Sequence, residues 1–217
     1  SFVMETVDGV TKVDDFSLNG DGFGASGDLK FDKSGLTAAN FSRFQLSPQD
    51  DVAVSVTASR KNYTVNAHGK SLDLRPLIAR LRSSSAKNST TDKPDSNFGA
   101  FSIKAQLDKV YGFNDEVMSN VNADVNLRDG KLRTIDLKAV TSRGQALVAQ
   151  TINRGDGGTI NLTSSDAGSF ARFTNLYSRV RGGLLNLALT TANGNDWSGS
   201  LDMRNFAVLN EAKLQDI

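Results

Sequence analysis

The feature that most constrains this chain is an alternation of apolar and polar residues with a period of two, recurring along its length and cut at short intervals by turn formers. Val52, Val54 and Val56 alternate with Ala53, Ser55 and Thr57. Ala123, Val125 and Leu127 alternate with Asn122, Asp124 and Asn126, and Leu201 and Met203 with Asp202 and Arg204. Successive side chains of a strand point to opposite faces, so each run predicts a strand with one greasy face. Runs of this kind cover 2–7, 12–18, 25–31, 36–46, 52–59, 63–67, 101–107, 117–127, 132–140, 145–152, 159–163, 184–190 and 198–208. Asp8-Gly9, Lys33-Ser34-Gly35, Arg60-Lys61-Asn62, Asp129-Gly130 and Asn193-Gly194-Asn195 supply tight turns between them. Short turns make sequential strands antiparallel neighbours, so the predicted fold is mainly β, a curved antiparallel meander with a groove-like face.

Two segments break the β pattern. After Leu72-Asp73-Leu74-Arg75, the residues Leu74, Leu77, Ile78 and Leu81 form one helical face, with Pro76 tolerable in the first turn, which predicts a helix near 74–82. Asp166 is a helix N-cap, and Phe170, Phe173, Leu176, Tyr177 and Val180 recur at three- and four-residue steps, which predicts a second helix near 167–181. Arg179 and Arg181 fall at its expected end, where cations favour the helix dipole, and Gly182-Gly183 reads as its left-handed stop.

The order strand, turn, strands, helix occurs twice, at a spacing of roughly 95 residues. Gly27-Asp28-Leu29-Lys30-Phe31-Asp32 with its Gly35-Leu36 turn leads to the first helix, and Asp124-Val125-Asn126-Leu127-Arg128-Asp129 with its Gly130-Lys131-Leu132 turn leads to the second. Two similar β-rich repeats are therefore expected, at 1–82 and 98–217. Between them, 83–97 has only Ala86 as an apolar residue and cannot offset its ordering entropy by burial, so it reads as a flexible linker or loop.

Composition narrows the function. A net charge of +1 argues against nucleic-acid binding through a strong basic field. With no cysteine and a single histidine, His68, neither thiolate chemistry nor a Cys- or His-based zinc site can assemble, and no cofactor is expected. Gly22-Phe23-Gly24-Ala25-Ser26-Gly27 fits G-x-G-x-x-G, but a strand pattern follows where a dinucleotide site needs a helix. Asp14-Asp15 and Asp50-Asp51 read as solvated turn or strand acids. No apolar run approaches a membrane-spanning length, and the chain, which begins with Ser, reads as part of a longer protein.

The stretch from Asp166 to Asn210 carries a family signal: a DAG opening onto an aromatic helix, an Arg-Gly-Gly stop, alternating leucines, and a W-x-G-x-L-x-M-x-N-F-x-V-x-N tail. It resembles the C-terminal region of AsmA-like bacterial envelope proteins, the relatives of TamB and YhdP. The resemblance is clearest over 121–210 and looser over 24–81, where SLDLRPLIARL is the recognisable piece. It implies a non-enzymatic segment of a periplasmic β-groove, in a parent protein anchored in the inner membrane, along which phospholipid moves toward the outer membrane. The expected groove residues are Val52, Val54, Val56, Ala123, Val125, Leu127, Leu185, Leu187, Leu189, Leu201 and Met203, with Arg75, Arg172, Arg179 and Arg181 placed to meet head groups. Two other readings stay open: a closed-core β-module that docks other envelope proteins, and a carbohydrate-active enzyme with two facing carboxylates in an aromatic cleft.

Overall fold

A computed structural model describes residues 2–86, 99–129, 131–154, 157–192 and 197–209. Its strands are β1 (Val3–Val7), β2 (Val10–Gly20), β3 (Phe23–Asp32), β4 (Gly35–Gln45), β5 (Asp51–Ser59), β6 (Asn62–Asp73), β7 (Ala100–Tyr111), β8 (Val117–Arg128), β9 (Lys131–Val140), β10 (Ala146–Arg154), β11 (Gly157–Ser164), β12 (Val180–Thr191) and β13 (Ser198–Val208). Helix α1 (Arg75–Ala86) follows β6, and α2 (Ala167–Phe173) follows β11. All thirteen strands form one sheet in sequence order, as the predicted meander requires. β1 pairs only with β2 and β13 only with β12, so the sheet is open at both edges.

One junction departs from the meander. β6 and β7 pair in parallel, Asn62 opposite Ala100 through Asp73 opposite Tyr111, because α1 and not a tight turn connects them. One sheet therefore runs unbroken through both expected repeats. The helices are not equivalent in this respect: β11 and β12, which flank α2, are antiparallel. Of the expected linker, Ser83 to Ala86 complete α1, and 87–97 lie outside the described residues.

The second helix is shorter than its apolar spacing predicts, ending at Phe173 and not near 181. Asn175 takes the left-handed conformation at φ 56°, and a Schellman pair closes the helix: Leu176 N–H donates to Ala171 O and Asn175 N–H to Arg172 O. Gly182 and Gly183 do have positive φ, 62° and 90°, but they lie inside β12, opposite the left-handed Asn205 (φ 55°) region of β13, where they kink the strand pair. Arg179 and Arg181 are thus a loop residue and a strand residue, not helix-end cations. Gly168 has a separate role, since a Cβ there would lie 2.8 Å from Arg181 Cα and Gly182 N; its absence lets α2 rest on the β12 backbone.

The core sits at one end of one face of the sheet. Val52, Leu107, Val110, Met118, Val121, Ala139, Leu147 and Leu185 cluster there with Ala167 and Phe173 of α2, and Leu74, Ile78 and Phe170 pack against them. Each of those burials adds roughly 25 cal/mol per Å² of apolar area. Both helices close this end because β6 and β11 finish there.

Candidate functional site

Register shows what the alternation assembles. Phe41, Val54, Ala67, Ala105, Ala123, Leu137, Ala149, Leu162, Leu187 and Leu201 are successive cross-strand partners from β4 to β13. A second row runs Met4, Val13, Leu29, Ala39, Val56, Val65, Ile103, Val125 and Ile135, from β1 to β9. Directly opposed side chains share a face, so both rows lie on the face that carries the core. At about 4.8 Å per strand, such a face extends roughly 58 Å across the sheet.

Every expected groove residue falls on this face, but not in one environment. Val52 and Leu185 are 3% exposed and belong to the core under the helices. Val54, Val56, Ala123, Val125, Leu127, Leu187, Leu189 and Met203 are half-buried, and Leu201 near the β13 edge is exposed. The apolar face is therefore sealed at the helix end and mostly part-exposed beyond it, with Ala39, Ala149 and Ile160 buried among their neighbours. Near the β9–β13 side a small concavity of about 310 Å3 is lined by Leu132, Ile160, Leu189, Trp197 and Lys131. Trp197, read from sequence only as part of a family motif, contributes directly to that wall.

The opposite face is polar by the same register, with Asn40, Ser55, Asn66, Lys104, Asp124, Asp136, Gln150 and Asn161 as successive partners. It holds a shallow depression of about 970 Å3 over β6–β10, adjoining another of about 640 Å3 at His68. Asp124 and Asp136 stand opposite each other there, with Lys104 3.9 Å from Asp124. The larger depression is lined by His68 but by no Phe, Tyr or Trp. Among the described residues no group of three or more His, Cys, Asp or Glu is placed to hold a metal. Among the described residues, no helix is long and apolar enough to cross a membrane.

The expected head-group arginines divide. Arg172 is 6% exposed and enclosed: its guanidinium meets the Glu116 carboxylate and donates to Val180 O and Ser169 Oγ. It is a structural residue and cannot meet a head group at the surface. Arg75 forks onto Asp73, with Nε 2.9 Å from Oδ1 and Nη2 2.6 Å from Oδ2, while its side chain stays partly exposed. That bidentate pairing holds the Asp73 carboxyl below its ordinary value and raises Arg75 above its own. Arg179 and Arg181 are exposed, and Arg181 Nη1 donates to Ser178 O and Val180 O.

Sequence reasoning missed the polar groups that fix the helix end. Asp50, expected to be solvated, is 7% exposed and accepts from the backbone N–H groups of Leu46, Ser47 and Asp73 at 2.7–2.8 Å. Asp14 and Asp15 form a bulge in β2, where Asp15 has φ 53°. No protein-family model, curated protein or solved structure matches the chain.

Proposed function

We propose that this chain is a lipid-binding and lipid-conducting segment of an AsmA-like bacterial envelope protein, non-enzymatic and periplasmic, in a parent anchored in the inner membrane. The observation that carries the reading is the pair of apolar rows that cross the open sheet from strand to strand, with most of their side chains part-exposed beyond the helices. A closed core would seal such rows along their whole length; here burial is continuous at the helix end, while beyond it Ala39, Ala149 and Ile160 are buried among neighbours that stay part-exposed. Acyl chains lying along the rows lose water contact at about 0.8 kcal/mol per methylene, while head groups remain in solvent. Because the rows run perpendicular to the strands, a lipid shifts from one strand's side chains to the next without crossing a polar step between β4 and β9. No residue reacts. Movement is then diffusion along a surface of nearly uniform affinity.

Native mass spectrometry of the gently purified chain tests this reading. Phospholipid adducts are expected, and a photo-crosslinking residue at Leu187 is expected to capture lipid while one at Asn186, on the other face, does not. Protein free of lipid, with equal capture from both faces, would remove the reading. A protein-docking module remains the second reading because β1 offers an open edge of five exposed residues. Stable capture of an envelope protein through that edge, without lipid, would favour it.

A further inference from the structure

The helix end of the sheet carries a second apolar surface, separate from the rows. Leu74, just before α1, and Ile78 on it pack on the core, while Leu77 and Leu81 of α1, one turn apart on a different side, are 52% and 59% exposed. Arg82 Nη1 donates to Asn175 O at 2.6 Å, which ties the C-terminal half of α1 to the loop after α2, where Leu176 is 59% and Tyr177 40% exposed. Two elements from the two halves of the chain thus present large apolar side chains at the same end of the sheet.

The exposed charges at this end are mostly positive. Arg80, Arg82, Arg179 and Arg181 are exposed on or beside these elements. Of the acids nearby, Glu116 and Asp166 are buried, Asp50 is buried on backbone N–H groups and Asp73 is held by Arg75, while Asp115 stays exposed near Arg75. The whole chain has a net charge of only +1, so this concentration is local. Exposed leucines and a tyrosine ringed by arginines match a bilayer interface in which apolar side chains enter the acyl boundary and guanidinium groups meet phosphates.

We infer that the helix end, through Leu77, Leu81, Leu176 and Tyr177 with Arg80 and Arg181, docks on an anionic phospholipid membrane; because the rows run perpendicular to the strands, this holds them alongside the bilayer surface. The inference rests on the lipid-carrying reading for its purpose but not for its test. A protein partner would be expected to offer acids to these arginines with little dependence on lipid composition, whereas a bilayer must be anionic to attract them.

Co-sedimentation of the 217-residue chain with vesicles separates these outcomes. Binding is expected to vesicles containing phosphatidylglycerol, to weaken in high salt, and to be poor with pure phosphatidylcholine. Leu77→Ser/Leu81→Ser is expected to lower the partition coefficient by at least about tenfold, and Arg80→Gln by roughly fivefold. These side chains are exposed, so unchanged melting temperatures should confirm that the variants fold. Wild-type protein that ignores anionic vesicles, or a double variant that binds them as well as wild type, overturns the inference. The two proposals fail separately: Leu77→Ser/Leu81→Ser should keep its co-purified lipid, while a variant of the apolar rows should lose lipid and still sediment with vesicles.

Discussion

Glu116 and Arg172 meet inside the helix end of the molecule, although 56 positions separate them in the chain. Both side chains are under a tenth exposed, and Glu116 also accepts from Ser142 Oγ. Removing one member leaves the other as an uncompensated charge in a poorly solvated place. Arg172→Ala is therefore expected to destabilise the fold by about 3–5 kcal/mol. Urea unfolding followed by tryptophan fluorescence measures it, and a loss below about 1 kcal/mol would show that water reaches the site.

Asp166 ties the start of α2 to the sheet. Its Oδ1 accepts from Ser169 N–H at 3.1 Å and its Oδ2 from Ser169 Oγ at 2.7 Å, with Thr141 Oγ1 at 3.3 Å. Asp166→Ala removes an N-cap and strands buried hydroxyls, an expected cost of about 2–3 kcal/mol. Asp166→Asn keeps an acceptor for Ser169 N–H and should recover part of that loss. Equal destabilisation by both variants would assign the effect to the carboxylate charge and not to capping.

Asp73 gives the molecule an acid-side dependence of stability. Its folded pKa lies below the ordinary 3.8, chiefly through the hydrogen bonds from Arg75. A carboxyl with a lowered folded pKa contributes stability that is complete above its unfolded value and is lost as pH falls through the folded one. Stability should thus decline below about pH 4, and Arg75→Ala should flatten the part of that decline due to Asp73. Urea midpoints collected from about pH 6 down to pH 2.5 would show it. Parallel profiles for wild type and variant would assign the decline to other carboxylates.

Much of the β architecture was legible because alternation is local. Each of the predicted runs overlaps one strand of the sheet, and Asp129 and Asp8 sit at positive φ in the turns expected of them. What escaped was nonlocal or ambiguous. Gly182-Gly183 supplies positive φ equally well to a helix stop and to a kinked strand, and only pairing with β13 decides between them. Phe170, Phe173 and Val180 kept a helical spacing past the real end of α2 because Val180 is buried as the first residue of β12. Arg172 looked like a surface cation since its partner Glu116 lies in a loop before β8. The groove residues could be placed on one face from pattern alone, but the division between the sealed Val52 and Leu185 and the half-open Val125 depends on where the helices rest.

Val125 offers the sharpest test of that division. It stands between Ile103 and Ile135 in an apolar row, half-buried, with no helix among the residues that pair beside it. In Val125→Asp a carboxylate enters the acyl path, where an unpaired charge costs several kcal/mol unless water follows it in. On an open face water does follow, so the variant is expected to fold with a modest loss of melting temperature and to lose its lipid adducts. Gln106→Glu, which adds a charge to the exposed polar face, should leave both properties unchanged. Burial of the same charge in a closed core would instead unfold the chain, since an unpaired buried charge is among the few severe single-site lesions. A folded Val125→Asp protein that still carries lipid would take this row out of the conducting path, and one that cannot fold would make the face a core.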